Sequence, residues 1–378
     1  MSRFLNEKYQ GLEAYTPGEQ PQDMIYIKLN TNESPYPPSP SVLQSIGQGQ
    51  LEQLRLYSDP ESTRLRNKLA AAYGVGPKQV YVANGSDDIL HFAFMAFGNP
   101  KTGVAFPAIS YGFYKVFADL HQLPGFPIPL KADFSIDVQD YLGLKQLIVI
   151  ANPNAPTGLV LSLAEIEEIL KTNRHNVVVI DEAYIDFGGE SCCSFIGQYE
   201  NLLVVQTFSK SRSMAGARLG FALGNQALIE DLERLKYATN PYNINRLTLL
   251  AGEAAIEDQA YYREKCRLIA QTREYTADRL RQLGFTVLPS KANFLFACHE
   301  NISGQTLYQE LKQRGILIRH FSTPAIEAYN RITIGTRAQM EQFLLQTAEL
   351  LAQRPAAFPP IAASNFARNA ATLSICNQ

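Results

Sequence analysis

A single lysine sits among small and hydroxyl residues in "TFSKSRSMAGARLG" (207–220), with an arginine eight positions later. Lys210 is either a solvated surface residue or a reacting amine, because a lone buried ammonium costs several kcal/mol unless paired or neutralised. Its surroundings favour the amine. "TFSK" follows the apolar run "NLLVV", and three other polar clusters follow apolar runs in the same way. These are "NGSDD" (84–88) after "QVYVA", "NPNAPTG" (152–158) after "QLIVI", and "DEAY" (181–184) after "VVVI". If the runs are strands of one open α/β sheet, their carboxyl ends share one ligand crevice.

The residue types say what such a crevice would hold. "NGSDD" leads into "ILHFAFMAFG", which reads as a helix, so Gly85 and Ser86 offer free amides and a hydroxyl to an anion. Thr207, Ser209 and Arg218 add two hydroxyls and a bidentate guanidinium. Together they make a phosphate cup, and neither G-x-x-x-x-G-K-[ST] nor a post-strand G-x-G-x-x-G occurs to suggest a nucleotide. Asp181, ending a buried strand, needs a cation, and a protonated pyridine nitrogen is one. Tyr111 in "FPAISYGFY" offers an aromatic face. Phosphate, pyridinium and an aldehyde for Lys210 describe pyridoxal 5′-phosphate.

"LNTNESPYPP", "NPNAPTG", "DEAYIDF", "TFSKSRSMAGARLG" and "NRITIGT" resemble, in order and spacing, the type I fold pyridoxal-phosphate aminotransferases over roughly residues 10 to 350. "LEAYTPGEQP" and "DEAYIDF" resemble more particularly the histidinol-phosphate aminotransferases. The resemblance implies that Lys210 is the Schiff-base lysine, that Asp181 faces the pyridine nitrogen, that Tyr184 bonds the ring O3′, and that Tyr111 stacks on the ring. Gly85, Ser86 and Asp87 join Thr207, Ser209 and Arg218 at the phosphate. Tyr57 in "LYSDP" matches a tyrosine that reaches the partner subunit's cofactor, although it could also pack within its own subunit. Tyr15 matches an arm tyrosine lining the partner's substrate site. Arg331 matches the arginine that holds a substrate carboxylate, and Asn32 falls with the substrate residues. Arg319 in "GILIRHF" would hold a substrate phosphate or simply lie on an edge. One departure stands out: the family's asparagine before P-T-G is Ala155 here, so either Asn154 moves in or Tyr184 holds O3′ alone.

The elements needed to position these groups can be read from the same sequence. Continuous apolar strands imply a mostly parallel sheet covered by helices on both faces. The expected architecture is α/β: a large cofactor-binding domain over 46–275 and a smaller α+β domain formed by the N-terminal arm (1–45) and residues 276–352, followed by a Pro/Ala-rich tail over 353–378. "SDPESTRLRNKLAAAYG" reads as a helix capped by Asp59 or Ser58 with Pro60 in its first turn. The run from 245 to 284 reads as helical and could carry the chain from one domain to the other.

The 378 residues, 46% hydrophobic, suffice for a large core, and a net charge of −2 argues against nucleic acid or an anionic membrane as partner. Five irregularly placed cysteines and five scattered histidines suggest neither a disulfide framework nor a metal. The start "MSRFLNEKYQ" lacks the apolar stretch of a signal peptide, so a cytoplasmic protein is expected. The activity implied is amino transfer between L-histidinol phosphate and 2-oxoglutarate by a homodimer with composite sites. Rival readings are an aromatic amino-acid aminotransferase, a decarboxylase of a phosphorylated amino acid, a non-catalytic cofactor-binding regulator, and a nicotinamide oxidoreductase. The last lacks its glycine fingerprint, and the regulator lacks a DNA-binding module.

Overall fold

A computed structural model describes residues 2–353, so all of the expected tail but Gln353 lies outside the described residues. The described strands are β1 (Ile27–Leu29), β2 (Val80–Ala83), β3 (Val104–Pro107), β4 (Gly125–Ile128), β5 (Leu147–Ala151), β6 (Val178–Asp181), β7 (Leu202–Thr207), β8 (Gly220–Gly224), β9 (Thr286–Val287), β10 (Phe294–Cys298), β11 (Ile316–His320) and β12 (Asn330–Thr333). They form two sheets, ordered β2-β8-β7-β6-β5-β3-β4 and β1-β11-β12-β10-β9.

The larger sheet is parallel except at β8, which runs antiparallel to both β2 and β7. Its strands are buried throughout at β2, β3, β5, β6, β7 and β8, which is why they read as unbroken apolar runs. Alternate residues feed two separate cores. Val82, Ile150, Ile180 and Val204 pack on one face. Ala83, Val149, Val179 and Val205 pack on the other. Each fully buried Val or Ile contributes ~1.5–3 kcal/mol, and this fixes the level at which the strands end. Gly220 is the register partner of both Ala83 and Thr207, so β8 begins on the edge where β2 and β7 end.

The smaller sheet draws β1 from the N-terminal region and pairs it in parallel with β11. Leu29, Ile316, Ile318, Leu295 and Ile332 form its core against the helices Gln259–Gln282 and Arg337–Ala352.

Two expected elements differ in detail. The helix after "SDPES" is Thr63–Tyr73, so Pro60 lies outside it. Asp59 still receives the Thr63 amide at 2.7 Å, and Ser62 adopts a left-handed turn (φ 51°) that delays the helix. The long helical run is two helices, Arg246–Glu257 and Gln259–Gln282, broken at Asp258 (φ −97°, ψ 47°). Strands β1, β4 and β8 carry no strand signal in the sequence; β1 and β4 are three and four residues long, and glycines in "GFALG" hide the pattern of β8. No described helix is long and apolar enough to cross a membrane.

Candidate active site

The carboxyl ends of β2, β3, β5, β6 and β7 open onto a cleft of about 840 Å³, closed from the other side by the arm and by β11 and β12. Its anion-binding end is built by close backbone approach. A Cβ on Gly220 would lie 2.5 Å from the Ser86 amide nitrogen, so only glycine lets β8 touch the start of the helix Ser86–Phe97. Gly85 precedes that helix at φ 90°, leaving the first-turn amides of Ser86 and Asp87 free. Arg218, itself at φ 54°, lies over Gly85 with Nη2 3.2 Å from Asp87 Oδ2. Ser86, Thr207, Ser209 and Arg218 all line this end of the cleft.

Lys210 follows β7 by a short bend. Its Nζ donates to the Thr31 carbonyl at 3.2 Å and lies 5.7 Å from the centre of the Tyr184 ring. Asp181 is 5% exposed. Its Oδ2 accepts from the Tyr114 hydroxyl at 2.8 Å and its Oδ1 from the Ala183 amide at 3.1 Å. Neither partner is charged. Burial pushes the Asp181 pKa up to about 6, with Asp87 adding to the effect while Tyr114, Ala183 and Lys210 oppose it. A cationic group in the cleft is what this carboxylate lacks. Glu182, one residue on, points to the opposite side of the strand, where Ser191, Cys192 and Gln206 hold it.

Tyr111 donates its hydroxyl to Asp87 Oδ1 at 2.8 Å, and burial, with Asp87 beside it, keeps the phenol protonated. Tyr184 accepts the Asn32 amide at 2.9 Å, which leaves its own proton free to donate into the cleft. Asn32 in turn accepts from Thr333 at 2.9 Å, tying β12 to the cleft wall. Arg319 and Arg331 are direct partners across the β11–β12 ladder. Arg331 Nη2 donates to the Asn30 carbonyl at 3.0 Å, while its buried Nε has no partner among the described residues. Arg319 holds the carbonyls of Thr16 and Pro17 at 3.2 and 3.3 Å.

One residue stands elsewhere than expected. Asn154 does not line the cleft, although Ala155 and Pro156 do. Its amide is spent on the Ile109 carbonyl and the Thr157 hydroxyl, and its carbonyl on Ser110, so it stitches the loop and cannot stand in for the missing asparagine. Tyr15 lines the cleft of its own chain. Its ring stacks on Phe113 at 4.2 Å, and Arg319 pins the next two carbonyls. Tyr57 lies off the cleft, 79% exposed and stacked on Tyr242 at 4.5 Å. Sequence reading missed Tyr114, which lies in the first turn of the helix Phe113–Leu120, three residues after Tyr111 in "SYGFY".

An anion cup, a buried carboxylate without a counter-charge and a lysine amine in one cleft fit a phosphorylated, cationic ring carrying an aldehyde. The comparisons with known proteins agree. The model of the family described as "Aminotransferase class I and II" matches residues 24–345. A protein of Brachyspira hyodysenteriae named histidinol-phosphate aminotransferase is 50% identical over 345 residues, covering 91% of this chain and 98% of that one. One of the same name from Clostridium acetobutylicum is 48% identical over 352 residues, 93% of this chain and 100% of that one. The crystal structure of histidinol-phosphate aminotransferase from Sinorhizobium meliloti, in complex with pyridoxal 5′-phosphate, shares the fold at a TM-score of 0.80 and 23% identity, over 87% of this chain and 92% of that one. The cofactor of such enzymes is pyridoxal 5′-phosphate, and this cleft fits it. The chain belongs to the class I and II aminotransferase family.

Proposed function

We propose that this protein transfers an amino group between L-histidinol phosphate and 2-oxoglutarate. The observation that carries the reading is one cleft holding Lys210, Asp181 and two register-paired arginines, Arg319 and Arg331. The names of near-full-length relatives at 50% and 48% identity support the substrate assignment.

The residues divide the work by position. Ser86 and Asp87 through their amides, with Thr207, Ser209 and Arg218, would hold the cofactor's phosphate. Tyr111 would lie on its ring, Tyr184 would donate to O3′, and Asp181 would hold the proton on the ring nitrogen. When bound, the cofactor supplies an aldehyde that takes up the amino group and a ring that accepts the electron pair released at Cα. Lys210 Nζ would take the proton from the substrate Cα as a general base and deliver it as an acid to the former aldehyde carbon, two bonds away across the nitrogen. Arg331, with one guanidinium nitrogen unpartnered, would bind the substrate anion, and its planar fork suits carboxylate and phosphate alike.

The active unit in this reading is a homodimer. Tyr57 sits with the exposed apolar side chains of Leu51, Leu54 and Leu56 on a surface away from its own cleft. An exposed apolar segment of this kind suits contact with a second subunit. Tyr57 would there reach the partner's cofactor phosphate. The reading is tested by incubating purified protein with histidinol phosphate and 2-oxoglutarate and following glutamate. Turnover of aromatic amino acids without turnover of histidinol phosphate would replace it with the aromatic aminotransferase. Release of carbon dioxide from the donor would select a decarboxylase.

A further inference from the structure

Tyr114 is completely buried, and its hydroxyl donates to Asp181 Oδ2 at 2.8 Å. The ring is fixed from two sides, edge-on to Tyr111 at 5.7 Å and to Phe106 at 6.2 Å. Two other fully buried tyrosines behave differently: the hydroxyls of Tyr81 and Tyr141 have no partner among the described residues. Tyr114 is therefore more than a core ring with an idle hydroxyl. Its single donor is spent on the one cleft carboxylate that has no cationic partner.

We infer that Tyr114 is a positioning residue that keeps Asp181 ionised and oriented, so that the proton shared with the cofactor's ring nitrogen stays on nitrogen. The inference rests on the reading of Asp181 proposed above. A donor to a carboxylate stabilises the charged form and makes the carboxylate a weaker base. The other groups facing Asp181 are Ala183 through its amide, Asp87 from the helix Ser86–Phe97, and Lys210 from the bend after β7. Asp87 works against ionisation, and Lys210 works for it. Once Lys210 is engaged with substrate, Tyr114 and the Ala183 amide are the donors left to keep the proton off Asp181. Without the hydroxyl the carboxylate becomes more basic and draws the proton from the ring nitrogen, and a neutral ring is the poorer electron acceptor. The effect falls on turnover and not on substrate affinity.

The test uses Tyr114→Phe holoenzyme. We expect kcat to fall on the order of 10- to 100-fold, the worth of one hydrogen bond to a charged group, with KM little changed. Cofactor loss from the holoenzyme, followed by its absorbance during dialysis across pH, should show its acid limb moved up by about one unit. Replacing Tyr114 with 3-fluorotyrosine, a better donor of the same size, should move that limb the other way. In an Asp181→Asn background the Tyr114→Phe change should add almost nothing. Wild-type kcat and an unmoved acid limb in Tyr114→Phe would overturn the inference. So would an equal loss in both backgrounds, which is the mark of a purely structural role. Wild-type rates in Asp181→Asn alone would instead sink the underlying reading of Asp181.

Discussion

Gly85 lies directly under the Arg218 guanidinium: a Cβ there would come within 2.7 Å of Nη2, on a backbone already at φ 90°. The cup thus depends on a missing side chain as much as on the charges around it. Gly85→Ala should push Arg218 off the cup and strain the backbone. We expect about 1–3 kcal/mol of lost stability and at least ~10-fold weaker cofactor binding. Gly74→Ala is the control. It shares a left-handed φ of 68° but has no atom within 4 Å of the added carbon, so it should lose stability alone. Equal cofactor affinity in the two variants, by equilibrium dialysis, would refute the contact's role.

Lys210 is the expected covalent anchor. Borohydride treatment of the yellow protein should fix cofactor to a single peptide, the one containing Lys210. Lys210→Ala should retain cofactor through the cup yet lose transamination. Label on any other lysine would exclude the assignment.

Asp181 trades stability for chemistry. Its folded pKa of about 6 lies above its unfolded value near 3.8, so the folded protein takes up a proton between those values. Above pH 6 the cofactor-free protein therefore carries an ionised carboxylate at a cost, and the cost vanishes as the pH falls below 4. Asp181→Asn removes it. The stability of cofactor-free Asp181→Asn relative to the parent should therefore rise by on the order of 2–3 kcal/mol between pH 4 and pH 7, whatever constant offset the lost hydrogen bond adds. Turnover should drop at least ~10²-fold. Denaturant midpoints across pH and steady-state rates check the two halves separately.

The strand ends of this site were legible because strands buried on both faces must be apolar without interruption, so each polar cluster marks where a strand leaves the core. What stayed hidden depends on contacts distant in sequence. Asn154 is consumed by Ile109, Thr157 and Ser110, and the sequence marks none of these bonds. Tyr114 carries no mark in the sequence because its partner is 67 residues away. The pinning of the arm by Arg319 spans more than three hundred positions. No periodicity encodes such pairs.

Tyr57 gives the homodimer a functional test. If it serves the partner's cleft, a Tyr57→Ala subunit and a Lys210→Ala subunit combine to leave one site with neither lesion and one with both. Mixing two nearly inactive variants should then restore about a quarter of wild-type activity, since half the dimers are mixed and half of their sites are whole. Absence of recovery after confirmed subunit exchange would place Tyr57 in its own chain.

Arg319 and Arg331 leave the same face of the β11–β12 ladder but are differently employed, and this should separate the two substrates. Arg331 is half-buried with its Nε shielded from solvent, and desolvation is the main force lowering its pKa, so an anion in the cleft relieves a real electrostatic cost. Both glutamate and histidinol phosphate supply that anion. Arg331→Lys, which loses the planar fork, should therefore lower kcat/KM for both half-reactions by ~10-fold or more. Arg319 already spends two nitrogens on the Thr16 and Pro17 carbonyls of the arm, next to Tyr15. A phosphate dianion, with more charge and three acceptor oxygens, can compete with those neutral carbonyls where a carboxylate has less to offer. Arg319→Lys should thus impair histidinol phosphate more than glutamate. Measuring each half-reaction in single turnover gives the comparison directly. Equal losses for the two substrates would assign Arg319 to the arm alone and leave Arg331 as the anion anchor for both.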